Sequence, residues 1–326
     1  MSGHAEPRSS LSGRSLLTLA DFSAGEIRRI LDRADELKQQ SREHRRHARL
    51  SGRTIALIFE KRSTRTRAAF ETAFGEEGGH PVFLSPQDVH LGVKESVEDT
   101  ARVLGRMFDC IQFRGYQQRT VETLAEYSGV PVYNGLTDRY HPTQALADIM
   151  TLREQRGSLE GATLAYTGDG RNNVANSLLL VCAILGIHCR IASPESLQPD
   201  REILDLVARR AVSPEYEPLI TTDPVEAVTG ADAVYTDVWT SMGEEAKQGE
   251  RVELLRPYQV HDALMAHTQD GAIFLHCLPA VKGNEVTEEV FEGARSRVFE
   301  QAENRKHTIK AVILETLAAA GSSYYT

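Results

Sequence analysis

At 326 residues, with 41% hydrophobic and 25% charged residues, the chain has room for two domains and the balance of a water-soluble globular protein. A net charge of −9 gives a field that repels nucleic acid and acidic membranes, so an anionic ligand must be captured by local clusters of basic side chains. The four cysteines, Cys110, Cys182, Cys189 and Cys277, form no CxxC pair, and their spacing predicts reduced thiols in a cytoplasmic compartment.

Residues 1–14 are polar and lack an apolar h-region, which predicts a flexible tail and no secretory signal. From Leu16 the pattern turns helical: Ala24, Ile27, Ile30, Leu31, Ala34 and Leu37 share one face, with Asp21 or Ser23 as the cap. The basic run 42–49 lacks the interleaved aromatics of a nucleic-acid site and is expected to be a solvated connector. Residues 54–59 are apolar and partly β-branched, as in a buried parallel strand. Next comes Ser63-Thr64-Arg65-Thr66-Arg67, and then Ala68, Ala69, Phe70, Ala73 and Phe74 on one helical face. Two hydroxyl types and several guanidinium groups thus sit where a strand turns into a helix, with Ser63 placed as N-cap and first-turn amides left free. Such a helix N-terminus suits a phosphate dianion.

Residues 81–84 read as a strand, 85–92 as a polar loop, and Ser96 with Asp99 as the start of a helix carrying Val97, Ala101 and Leu104. The strand 109–113 delivers Arg114 at its C-terminal end, where ligands gather in open α/β sheets. After a helix at 120–127 and a strand at 130–134 comes His141-Pro142-Thr143-Gln144. Pro142 suits a first helical position, and Ala145, Ile149 and Leu152 continue the helix. A His, a Thr and a Gln beside one helix N-terminus are suited to holding a carbonyl or an amide.

Gly157 to Gly161 mark a hinge region, after which the strand–helix rhythm restarts. Strands are expected at 162–167, 189–192, 218–221, 233–237 and 273–275, and a final helix at 302–319 is long enough to return to the first domain. The fold class is therefore α/β, with two domains that are each a mostly parallel sheet flanked by helices. The longest apolar run, 178–185, is eight residues and too short for a bilayer.

Three stretches of the second half carry further chemistry. Gly168-Asp169-Gly170-Arg171-Asn172-Asn173 begins like a dinucleotide turn, but Asn173 stands at the third glycine position and no suitable ribose-binding acid follows, so Asn173 is expected to offer its amide to a small polar ligand. Asp237, at a strand end, suits an ammonium group, and Ser241 and Gly243 allow a mobile loop. Cys277 follows His276 on an extended strand, where neighbours point to opposite faces; a thiol touching substrate without bonding to it fits better than a nucleophile. Arg305 is expected near the start of the last helix, where the dipole offers a cation nothing and a ligand contact would explain it.

Seven motifs occur in one order: Ser-Thr-Arg-Thr-Arg (63–67), Leu-Gly-Val-Lys-Glu-Ser (91–96), Arg-Gly (114–115), Tyr-His-Pro-Thr-Gln (140–144), Gly-Asp-Gly-Arg-Asn-Asn (168–173), Asp-Val-Trp-Thr-Ser-Met-Gly (237–243) and His-Cys-Leu-Pro-Ala (276–280). Together they resemble the aspartate/ornithine transcarbamoylase family over residues 16–317. The resemblance implies a carbamoyl phosphate domain at 15–152, joined by the helix 302–321, an ornithine domain at 153–301, and an active site in the cleft between them. It implies a cytoplasmic homotrimer with shared sites, no cofactor, no metal, and no nucleic-acid or membrane partner. It places Ser63, Thr64, Arg65, Thr66, Arg114, His141, Gln144 and Arg305 around carbamoyl phosphate. His90 is implied to come from the neighbouring subunit, and Cys277 and Leu278 to touch both substrates. Asn173, Asp237, Ser241 and Met242 are implied to hold ornithine, with Arg114, His141 and Cys277 catalytic.

The implied reaction is carbamoyl transfer to the δ-amine of L-ornithine, giving L-citrulline and phosphate in the biosynthetic direction of arginine metabolism. Other acceptors to weigh are aspartate, N-acetylornithine and putrescine. An α-amino group suits Asp237, and Glu244 and Glu245 in the same loop disfavour aspartate. A nicotinamide-dependent oxidoreductase and a non-catalytic binding module are the alternatives from other classes.

Overall fold

The computed structural model describes residues 11–85, 87, 89, 95–240 and 248–317. The chain divides into two compact units, Met1–Thr143 with Arg305–Thr326, and Gln144–Asn304.

In the first unit α1 (Ala24–Arg42) is capped by Ser23, whose side chain accepts from Glu26 N–H while Glu26 reaches back to Ser23 N–H. It is followed by β1 (Thr54–Phe59), α2 (Thr64–Gly75), β2 (His80–Leu84), α3 (Val97–Met107), β3 (Cys110–Arg114), α4 (Gln118–Ser128) and β4 (Val132–Leu136). The strands form a parallel sheet in the order β2-β1-β3-β4. Ala56, Ile58, Ile111, Phe113 and Val132 pack with Ala101, Leu104, Val121 and Leu124 from α3 and α4. Each large side chain so buried contributes roughly 1.5–3 kcal/mol. The register pairs Phe59 with Arg114, so the turn leaving β1 and the end of β3 lie side by side.

α5 (Pro142–Arg156) begins at Pro142, as its fixed φ favours. The second unit continues with β5 (Thr163–Thr167), α6 (Asn173–Leu185), β6 (His188–Ala192), α7 (Arg201–Arg210), β7 (Leu219–Thr221), α8 (Pro224–Val228), β8 (Ala233–Thr236), α9 (Gln248–Leu255), α10 (Asp262–Met265), β9 (Ile273–His276), α11 (Glu288–Phe291) and the start of α12 (Val298–Thr316), which from Arg305 belongs to the first unit. Its sheet is parallel, in the order β7-β6-β5-β8-β9. α6 is buried from Val174 to Leu185, which explains its unbroken apolar run. No described helix is long and apolar enough to cross a membrane.

The units divide inside α5 and inside α12, whereas the sequence suggested divisions after 152 and before 302. The hydrogen bonds of α5 give the reason. Asp148 accepts from Gln301 at 2.6 Å and Thr151 from Asn304 at 2.9 Å, so most of α5 packs with the residues just before Arg305.

Candidate active site

Ser63 is the N-cap of α2, and its hydroxyl accepts from Thr66 N–H at 3.2 Å. That leaves the amides at the start of α2 outside the cap bond. Thr64 is exposed, while Ser63 and Arg65 are half-buried. A cavity of about 420 Å³ lies against this turn, lined by Arg62, Ser63, Thr64 and Arg67 among others. Arg67 itself pairs with Glu71 at 2.8 Å and stacks on the Phe83 ring at 3.8 Å.

Thr66 is fully buried, and its Oγ1 accepts from Arg114 Nη1 at 3.1 Å and from Arg305 Nη2 at 2.9 Å. Both guanidinium groups are buried. With two donors on its lone pairs, the Thr66 hydroxyl has its own hydrogen to give. Arg305 is not near the helix start: α12 begins at Val298, so Arg305 lies in the third turn. The dipole argument therefore does not apply to it, and its burial is what sets it apart.

His141 is also buried, with Nδ1 3.4 Å from Thr143 Oγ1. Burial, and then the cationic Arg305, Arg114 and Arg65, hold its imidazole well below its ordinary pKa. His141 is thus a neutral group among three cations. If Thr143 donates to Nδ1, the proton lies on Nε2 and His141 is a donor there.

In the second unit Asn172 caps α6, accepting from Ala175 N–H at 2.7 Å, while its Nδ2 donates to Tyr166 Oη at 2.6 Å and approaches Asp237 Oδ2 at 3.4 Å. Asn173, the residue singled out from sequence, is the first residue of α6 and half-buried. Asp237 Oδ1 accepts from Val238 N–H at 2.8 Å and from the Cys277 thiol at 2.9 Å. Tyr166 and Tyr235 stack beneath with ring centres 6.0 Å apart, and burial followed by nearby carboxylates raises both phenols well above their usual range. Arg251 bonds the Asp169 carboxylate and the Trp239 carbonyl.

At the end of β9, Leu278 adopts φ +61°, and its N–H donates to His276 Nδ1 at 2.8 Å. Asp237, His276 and Cys277 each place a possible metal-ligand atom within 4.8 Å of the others. His276 Nδ1 already accepts from the Leu278 N–H and the Cys277 thiol donates to Asp237, which fits a hydrogen-bonded clamp; His276 Nε2 lies 3.4 Å from Glu285 without a hydrogen bond to it. All four cysteines are free, with Cys277 half-buried and the others buried.

The structure brings Thr66, Arg114, Arg305 and His141 together in the first unit, and Asp237 and Cys277 in the second. Gln144, at the start of α5, is buried and directs its amide nitrogen at Asp148. His90, Ser241 and Met242 lie outside the described residues. Sequence reasoning missed Asn172, Asp148, Arg251 and Glu285. Of these only Asn172 had a local signal, because an Asn just before an apolar helix is a capping pattern.

Residues 14–154 match the family described as "Aspartate/ornithine carbamoyltransferase, carbamoyl-P binding domain", and residues 160–316 match "Aspartate/ornithine carbamoyltransferase, Asp/Orn binding domain". The chain is 62% identical over 312 residues to the "Ornithine carbamoyltransferase" of Caldanaerobacter subterraneus, covering 94% of this chain and 98% of that one. It is 54% identical over 323 residues to the "Ornithine carbamoyltransferase, catabolic" of Streptococcus pyogenes serotype M1, covering 94% and 96%. Among solved structures, the ornithine carbamoyltransferase of Pyrococcus furiosus superposes with a TM-score of 0.91 at 45% identity, covering 94% of this chain and 98% of that one.

Proposed function

Because the chain belongs to the aspartate/ornithine carbamoyltransferase family, we propose that it transfers the carbamoyl group of carbamoyl phosphate to the δ-amine of L-ornithine, giving L-citrulline and phosphate. The observation that carries this reading is the convergence of the buried Arg114 and Arg305 and the half-buried Arg65 on a neutral His141. Three fixed cations suit a dianion, and an uncharged imidazole among them can donate without adding charge.

Carbamoyl phosphate is a mixed anhydride with a good leaving group, so the protein needs chiefly to hold it, polarise its carbonyl and present a neutral amine. Ser63, Thr64, Arg65, Arg305 and the first amides of α2 hold the phosphate as the C–O bond breaks. The Thr66 hydroxyl, Arg114 and His141 Nε2 donate to the carbonyl oxygen, on which charge develops as the amine attacks. Gln144 Oε1 and the Leu278 carbonyl accept from the carbamoyl NH₂. Asp237 grips the α-ammonium of ornithine and Asn173 its carboxylate, with Ser241 and Met242 completing that site. The Cys277 thiol touches the reacting groups without forming a bond. The δ-amine, with a pKa near that of lysine (about 10.4), must shed a proton before it attacks, so turnover rises toward alkaline pH.

The proposal extends to a homotrimer in which His90 reaches the neighbouring subunit's donor, and to a cytoplasmic, arginine-biosynthetic role. Exchange of an anhydride for a urea-like amide favours citrulline formation chemically, although some relatives carry a catabolic name. The test is product formation from carbamoyl phosphate with ornithine, N-acetylornithine, putrescine and aspartate offered separately. Citrulline from ornithine alone is expected. Turnover with another amine overturns the acceptor assignment, and none with any amine overturns the activity.

A further inference from the structure

Gln144 Nε2 donates to Asp148 Oδ1 at 2.7 Å, one turn further along α5. The other end of that amide, Oε1, is buried and has no hydrogen-bond partner among the described residues. Gln144 is 1% exposed and Asp148 0%, so neither side chain reaches bulk solvent. The same Oδ1 accepts from Gln301 Nε2 at 2.6 Å, and Gln301 Oε1 receives the backbone N–H of His276 at 2.9 Å. Tyr235 Oη also accepts from Gln301 Nε2, at 3.2 Å.

A carboxylate offers only acceptors, so each amide must turn its nitrogen toward Asp148. At Gln301 the orientation is fixed twice, by Asp148 at one end and by the His276 N–H at the other. At Gln144 it is fixed, among the described residues, only by Asp148, and the consequence is an oxygen directed away with none of them bonded to it. A buried acceptor left unpaired is unfavourable by roughly 1–3 kcal/mol, which a ligand N–H recovers.

We propose that Asp148 is a positioning residue for the donor substrate: it sets the Gln144 amide so that Oε1, and not the NH₂, faces the carbamoyl NH₂. Through Gln301 it also ties that orientation to the backbone of His276, immediately before Cys277 and Leu278. Without the carboxylate the Gln144 amide can turn over, presenting a donor to a donor. The arrangement therefore selects for an NH₂ on the donor carbonyl and against a methyl group. It rests on the reading of Gln144 as a donor contact.

The test compares carbamoyl phosphate as substrate with acetyl phosphate, which replaces the NH₂ by CH₃, as competitive inhibitor. Asp148→Leu, which removes the acceptor, is expected to raise the carbamoyl phosphate KM at least about tenfold, the equivalent of roughly 1.4 kcal/mol, while the acetyl phosphate inhibition constant changes less than about twofold. Asp148→Asn, whose Oδ1 still accepts from both amides, is expected to keep part of the discrimination. Thr151→Val breaks a neighbouring buried hydrogen bond of α5 without touching Gln144, and is expected to lower stability alone. If Asp148→Leu does not fold, Asp148→Ala carries the same comparison. Parallel weakening of both phosphates, or no change in either, overturns the proposal. Gln144→Ala separates the premise: an unchanged carbamoyl phosphate KM there sinks the reading of Gln144. A raised KM in Gln144→Ala with an unchanged one in Asp148→Leu sinks only the role of Asp148.

Discussion

Arg305 donates to Thr66 Oγ1 at 2.9 Å across 239 residues of sequence, and Arg114 donates to the same oxygen at 3.1 Å. One small hydroxyl thus fixes two guanidinium groups that would otherwise repel each other, and keeps its own hydrogen for a ligand. Thr66→Val preserves shape and removes that oxygen. Its kcat/KM for carbamoyl phosphate is expected to fall about 10²–10³-fold, the range for loss of a donor to a developing oxyanion. Stability should fall by roughly 1–3 kcal/mol as two buried donors lose their acceptor. Steady-state kinetics and urea melts on one preparation check both, and an unchanged kcat/KM would remove Thr66 from the site.

Asp237 Oδ1 accepts from the Cys277 thiol and from the Val238 N–H, which together orient its carboxyl group. Asp237→Asn is expected to lower kcat/KM for ornithine about a hundredfold, in line with the loss of one partner of a desolvated charge pair. The carbamoyl phosphate KM should stay within about twofold. Putrescine, which lacks the α-ammonium, should be as poor a substrate for the variant as for the parent. Equal loss on both amines would show that Asp237 does not read that group.

His141 supplies a stability test that needs no substrate. Its folded-state pKa is depressed by burial and by Arg305, Arg114 and Arg65, whereas the unfolded chain titrates near its ordinary value of about 6.5. Above that pH neither state binds the proton and stability is insensitive to His141. As pH falls below it the unfolded state takes up a proton that the folded state refuses, so stability drops, by up to about 1.4 kcal/mol per pH unit. His141→Asn should lose this component. Urea unfolding at pH 7.5, 6.5 and 5.5 should show the gap between parent and variant changing only at the lower values; a constant gap would refute the assignment.

Gly105, on α3, faces the last residue of α4 so closely that an added Cβ would lie 1.8 Å from the Ser128 carbonyl oxygen. Backbone cannot yield there as a flexible side chain would. Gly105→Ala is therefore expected to destabilise the protein by about 1–3 kcal/mol through overpacking, with both substrate KM values unchanged. An unaltered urea midpoint would mean that α3 shifts freely against α4.

Several of these features were legible in the sequence because their causes are local. The apolar run of β1, the Ser63 cap, the buried face Ala69, Phe70, Ala73 and Phe74 on α2 (Ala68, expected on that face, is exposed), and Pro142 opening α5 each depend on residues within a turn or two of one another. The capping of α1 was narrowed to Asp21 or Ser23, and the reciprocal bond with Glu26 decides for Ser23. The expected start of the last helix at 302 was late, since the stretch from Val298 has no strong apolar stripe to announce it.

What sequence alone determined is the order of parallel strands and capped helices and the residue types at their ends, because hydrophobic period and capping chemistry are properties of short windows. Only tertiary structure decided which ends meet. The β1–β3 register sets Phe59 beside Arg114, and the last helix returns to bring Arg305 onto Thr66. The Cys277 thiol meets Asp237 from 40 residues away, and Asp148 binds Gln144 and Gln301 with one oxygen. Those partnerships are fixed by sheet register and helix packing across long separations, and no periodicity within a window encodes them.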